Sequence, residues 1–475
     1  MWSKELLILP DEETFRSMFG FIRYSTKNRL GGRWMKKWKK QILILSFMLL
    51  ASLVTAGCNA GRKKTETASS DERVEISFSW WGNDDRHQAT QEMIAYFEEE
   101  YPEIAVKGEP SGFGDLDQAF TTRYAGNTLA DITTLLYNWV PQFGQNDGFY
   151  DLDTIDTLDL STYDPDFLKF GQVDGKQVAV PYGENTLVMY LNKSEYERHG
   201  IDISTLKTWD DYVEAAKKLP EGSYCVVSPT WRFPVTIWLQ QKTGKSEFDE
   251  KGNMNWTEQD YLEAMTWYKE MADAGVFVSR QDYLENVGSE PVSLATNKKW
   301  IEGQYAGGID WNAGIASNYE ALKEIGDEMV IVDYPIAEGG TEVNLMSKPS
   351  LLFAVRKNVE HPEEVGTFLN EFLNGEEANK ILGLSRGIPA SNRAIEALSE
   401  NGQLVGVMKE GFEYAQSATK INQTPFYEDG TLTTIYTTEM EAVELGRTDL
   451  ETAARNVYTK TKDQAEKLAK DYKLQ

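Results

Sequence analysis

The residues best suited to chemistry in this chain sit where an aromatic ring meets a planar polar side chain. They are Trp81, Asn83 and Asp84 in SWWGNDD, Tyr182 and Glu184 in PYGEN, Trp231 and Arg232 in SPTWRF, and Asp310 and Trp311 in GGIDWN. Trp139 stands in the loop segment YNWV, and Arg386 in LSRGIPA. Flat rings pack on apolar surface, while carboxylates, amides and guanidinium groups fix hydrogen-bonding partners in pairs, so the chemistry on offer is binding. His87, His199 and His361 are too scattered for a metal site, and the sequence lacks an HExxH, a CxxC or a glycine-rich phosphate loop. The expectation is no catalytic residue, no metal and no cofactor. Cys225 lies in the apolar run SYCVVSP and reads as a small buried hydrophobe rather than a nucleophile.

The elements that must carry these residues alternate between strand and helix. In RVEISFSWWG, Val74, Ile76 and Phe78 alternate with polar residues, which predicts a strand whose inward face continues to Trp80 and leaves Trp81 pointing elsewhere. The helix of ATQEMIAYFEEE and the strand IAVKG follow, and strand, helix, strand at this spacing predicts a parallel sheet. A helix LDQAFTTRYAGN and a third strand in ADITTLL come next, with Trp139 in the loop beyond. Asp174–Gly175 reads as a hairpin turn. Thr208 and Thr257 read as N-caps of amphipathic helices, the second ending at Gly275. Trp209 and Trp267 fall inside these helices and are expected to pack, as is Trp238, which shares a helical face with Val235 and Leu239.

Composition narrows the partners. With 41% hydrophobic residues, 13 Trp and 23 Tyr, the chain can build large cores, and its length divides into two or three domain-sized units. The net charge of −27 disfavours nucleic acid and anionic lipid headgroups. Arg33, Lys36, Lys37, Lys39 and Lys40 precede an apolar stretch from Ile42 to Val54 that is too short to span a bilayer. Thr55, Ala56 and Gly57 then lead to Cys58, so residues 35–57 resemble a bacterial lipoprotein signal peptide with Cys58 lipidated, although Thr55 departs from the usual Leu or Val. Residues 1–34 fit an upstream start codon read in error, and residues 58–72 a flexible tether. The expected location is the outer face of a bacterial cell membrane, held through the Cys58 lipid alone.

The order of SWWG, YAGNTLADI, DGKQVAVPYGENTLVMYLNKSEYERHGI, TWDDYVEAAKKL, GIDW, VDYPIAEGG and RGIPAS resembles the carbohydrate-binding solute-binding proteins of ABC transporters, the family of maltose-binding protein. The resemblance covers nearly all of Val74–Asn392. It implies an α/β fold of two lobes with a ligand cleft between them and crossing hinge strands. Lobe 1 would comprise 73–181 and 335–375, and lobe 2 would comprise 182–334 and 376–475. It implies a monomer that binds an oligosaccharide and delivers it to ABC permease subunits. Trp311 falls at the family position that stacks on sugar, and Arg386 where the second lobe approaches ligand. Trp81, Asn83, Asp84, Trp139, Tyr182, Glu184, Trp231 and Asp310 complete the expected set. A peptide, polyamine or organic anion in the same cleft is the alternative. An extracellular glycoside hydrolase, needing two carboxylates about one bond, is a more distant one.

Overall fold

In a computed structural model the described residues are 73–473, apart from 113–115, 146, 289–293, 313–314, 342–344 and 419. The signal segment, Cys58 and the tether lie outside the described residues. Among those described, no helix is long and apolar enough to cross a membrane.

Alternation in VEISFSWW produces strand β1 (Val74–Trp81), which buries Ile76, Phe78 and Trp80 on one face. β1 pairs in parallel with β2 (Ile104–Ser111) and β3 (Ile132–Leu135), as the strand–helix–strand spacing predicts. The helix Asp84–Glu100 connects β1 to β2. Asn83 caps its first turn by accepting the Arg86 N–H at 3.1 Å, and Met93, Ile94 and Phe97 form its buried face. Phe78 gathers Phe353, Phe368 and Phe372 at centroid distances of 5.4 to 5.6 Å, an aromatic centre for this core. The expected hairpin forms between β4 (Gln172–Val173) and β5 (Lys176–Gln177), with Asp174 and Gly175 both at positive φ.

Two five-stranded sheets organise the molecule. The first runs β2-β1-β3-β11-β6, where β6 is Val180–Pro181 and β11 is Leu352–Val355. The second is built on β7 (Glu184–Asn192), which is flanked by β8 (Gly307–Trp311), β9 (Met329–Val332) and β10 (Leu345–Pro349), with β12 (Lys420–Asn422) outside β10. The chain passes from the first sheet to the second at Tyr182–Gly183, the first crossing. It returns at Ser350–Leu351, later than the sequence expectation of Pro335, because β10 still pairs with β7. The last crossing also comes later than Gly375. Helix Glu376–Leu382 buries Ala378 and Leu382 in the first core, and Ala390 reaches the hinge by donating its N–H to the Tyr182 carbonyl at 2.8 Å.

Around the second sheet the capped helices appear where Thr208 and Thr257 predict them. Helix Trp209–Ala216 and helix Glu258–Asp273 each open with a reciprocal capping box, closed by Asp211 and Asp260. Trp209 and Trp267 meet edge to face at 5.1 Å inside the core, and Trp238 stacks on Trp267 at 5.5 Å. Cys225 is fully buried, and burial pushes its thiol up to about 12, which leaves it an inert core residue.

Candidate functional site

The C-terminal ends of β8 and β10 come together at a recess facing the loop after β3. Trp311, the last residue of β8, packs edge-on against Phe233 at 5.5 Å and Tyr427 at 6.3 Å. From β10, Lys348 places its Nζ 4.9 Å from the centre of the Trp311 ring. Glu428 holds this ammonium through one carboxylate oxygen. Its other oxygen accepts the backbone N–H of Tyr137 at 2.9 Å. Tyr137 follows β3 in the first sheet, so a single carboxylate ties the two sheets' layers together. Trp311, Lys348, Glu428, Asp310, Trp231 and Arg280 are among the residues lining the cavity, of about 380 Å³, in the range of small-ligand sites.

The electrostatics of the recess are uneven. Arg232 is 2% exposed and pairs with Glu247 at 2.8 Å, while its guanidinium lies 4.2 Å from the Tyr427 ring centre. Arg280 gives its Nε to Glu441 at 3.0 Å and its backbone N–H to Glu444 at 2.8 Å. Asp310 has no cation beside it among the described residues. Burial pushes its carboxyl up to about 6, against a partial counter-effect from the Trp311 N–H that it accepts at 2.7 Å. Asn185 pairs with Lys348 across β7 and β10, so the two side chains share a face of the sheet, and the buried Oδ1 of Asn185 has no hydrogen-bond partner.

Of the residues expected from sequence, the structure brings Asp310, Trp311 and Trp231 together in this recess. Trp231 forms wall more than floor, since its indole N–H is donated to the Tyr436 carbonyl at 2.9 Å and its ring packs on Tyr436. Trp81 is buried in the first core, Asn83 acts as the helix cap, and Asp84 is exposed in the turn after it. Glu184 faces a different cavity, of about 790 Å³, beside Tyr163, Phe170 and Asn312, and accepts a hydrogen bond from Ser347. Alternation along β7 sets Glu184 on the face opposite Asn185, which shares its face with Lys348.

Three expected contacts have packing roles instead. Trp139 is 1% exposed and stacks on Phe120 at 4.2 Å. Tyr182 is fully buried in the first core at the first crossing. Arg386 is 2% exposed, donates to Thr90 Oγ1 at 2.5 Å and lies over Phe372, with burial pulling its guanidinium down to about 9. The sequence reading missed Lys348, Glu428, Tyr137 and Asn185. Only Asn185 left a signal: strand alternation sets it on the face opposite Glu184.

A family model described as bacterial extracellular solute-binding protein matches residues 92–404. An arabinooligosaccharide-binding protein of Halalkalibacterium halodurans is 34% identical over 94 residues, 19% of this chain and 21% of that protein. A protein of the same description from Bacillus subtilis is 25% identical over 186 residues, 38% of this chain and 42% of that protein. The chain thus aligns with well under half the length of these curated relatives. A solved periplasmic oligogalacturonide-binding protein of Yersinia enterocolitica, in complex with saturated digalacturonic acid, superposes with a TM-score of 0.75 at 27% identity. That match covers 84% of this chain and 100% of the other.

Proposed function

We propose, from the premise that this chain belongs to the bacterial extracellular solute-binding proteins, that it captures an oligosaccharide in the recess around Trp311 and delivers it to the permease of an ABC transporter. The observation that carries this reading is the Trp311 ring, set beside Lys348, Asp310 and the Glu428 contact between the sheets. A sugar lays its C–H face on such a ring and extends its hydroxyls to the charged groups around it. The arabinooligosaccharide- and oligogalacturonide-binding relatives support the ligand class. The protein works as a monomer, on the outer face of the membrane, with Cys58 as its lipid attachment. Its role is transport, and a ligand leaves it chemically unchanged.

Asp310 favours one second reading. A carboxylate without a cationic neighbour also suits an amine, so a polyamine or a basic peptide is the competing ligand. Thermal unfolding of the purified protein against oligosaccharides, polyamines and peptides separates the two. Binding to the native state raises stability by about 2.7 kcal/mol at a hundredfold excess of ligand over Kd. A shift with a glycan recovered intact supports the transport reading. A shift with amines alone transfers the site to a cationic ligand, and cleaved glycan makes the protein a hydrolase.

A further inference from the structure

We infer that the recess selects uncharged oligosaccharides over acidic ones, and that Glu428 is the residue that sets this preference; the inference rests on the saccharide reading above. A uronate carboxylate entering a recess loses its water and needs a cation whose charge is not already paired with an acid. Three cations line this recess, and each already has a carboxylate of its own. Arg232 is held by Glu247, Arg280 by Glu441, and Lys348 by Glu428. Asp310 and Glu444 join Glu428 in the lining, so its three acids equal its three cations, and Glu247 and Glu441 stand outside the lining as the partners of Arg232 and Arg280. Arg386, the other guanidinium that could have met an acidic sugar, is buried in the first lobe against Thr90.

One lining acceptor has capacity left for a ligand. Asp310, in the lining, accepts only the Trp311 N–H. Acceptors call for donors, and hydroxyl groups donate where an ionised carboxylate cannot. The field outside runs the same way. Asp84 and Asp85 are exposed just past the end of β1, which lies beside β3 and its Tyr137 loop, and the whole chain carries −27.

Glu428 matters most because it is fixed at two points. One oxygen neutralises Lys348 and the other accepts the Tyr137 N–H from the opposite layer. It cannot swing away from Lys348 to admit a ligand carboxylate without also releasing that contact. In Glu428→Gln the amide oxygen still accepts from Tyr137, while Lys348 loses its anion and becomes available to a uronate.

Calorimetric titration of the purified protein with matched probes tests this. The probes are α-1,4-galactobiose, arabinotriose and maltotriose as neutral saccharides, and α-1,4-digalacturonic acid as the acidic counterpart of the first. The expected result is a neutral saccharide bound at least tenfold tighter than the uronate, with that ratio narrowed at least tenfold in E428Q. Lys348→Gln, which leaves the acid unpaired, should widen the ratio and serves as the second variant if E428Q is poorly folded. A uronate bound as tightly as any neutral saccharide by the unmodified protein overturns the inference and leaves the saccharide reading standing. An unchanged ratio in both variants removes Glu428 from the role. Failure of every saccharide, neutral and acidic, overturns both readings together.

Discussion

Trp311 and Asp310 are neighbours in sequence with opposite effects on the folded state. Trp311 is braced by Phe233 and Tyr427 and presents its remaining surface to the cavity, so Trp311→Ala should remove the stacking surface without collapsing the core. Losing one such face costs about 2 kcal/mol, roughly a thirtyfold rise in Kd measured by titration with whichever glycan binds. Asp310 works against stability. Its folded carboxyl titrates near 6 instead of the ordinary 3.8, so the native state holds its proton more tightly than the unfolded chain does. The associated stability is fully present below about pH 4 and is lost as the pH rises through about 6. Asp310→Asn should therefore be more stable than the unmodified protein at pH 7, by on the order of 2 kcal/mol, with the difference vanishing below pH 4. Denaturant unfolding across that range reads it, and ligand affinity should fall in the same variant. Both residues were legible in GGIDWN because strand and site coincide there. Lys348 and Glu428 were not: they are 80 positions apart, and neither stretch has a local pattern that marks it.

At the scale of elements, local signals predicted much of what forms. Thr208 and Thr257 cap the helices that follow them, as their spacing predicts, and alternation in β1 places Ile76, Phe78 and Trp80 inward. Thr257→Ala should cost about 1 kcal/mol in urea unfolding, since it removes the hydroxyl that accepts the Asp260 N–H at 3.2 Å in a partly exposed first turn. Short strands defeated the same reasoning. β10 and β11 have five and four residues, separated only by Ser350 and Leu351, yet they belong to different sheets. Their periodicity is identical on either side of the break, so only the pairing partners distinguish them. Trp139 went astray for a related reason: it follows a strand as a loop residue would, but it starts the helix Trp139–Gly144 and packs inward.

At the scale of the whole molecule, the two sheets meet through crossings that bond to one another. Tyr182 donates its N–H to Leu351 at 2.9 Å, Ser350 donates to Gly183 at 2.8 Å, and Ala390 donates to Tyr182 at 2.8 Å. Gly183 is where these segments come closest, since a Cβ there would stand 2.4 Å from the Ile388 carbonyl oxygen. Gly183→Ala must push the first and last crossings apart. The expected loss is about 2 kcal/mol in chemical unfolding, with weaker ligand binding because the Tyr137–Glu428 contact depends on the angle these crossings set. Two lobes joined by crossing strands are what the resemblance carried by the order of motifs implies, and the superposition on the solved oligogalacturonide-binding protein agrees with it. The angle between lobes had no counterpart in the sequence, because it arises from backbone bonds among three distant segments.

The position of β11 has a consequence for how the chain is made. It lies in the first sheet between β3 and β6, and its pairing of Leu352 with Leu135 spans more than two hundred residues. A polypeptide emerging from the ribosome therefore carries β3 and β6 as open edges until Val355 has been synthesised. Closure at so great a sequence separation is slow, and the first sheet stays incomplete through most of the chain's synthesis. That delay is useful to an exported protein, because a chain without a finished sheet can still thread through a translocation channel.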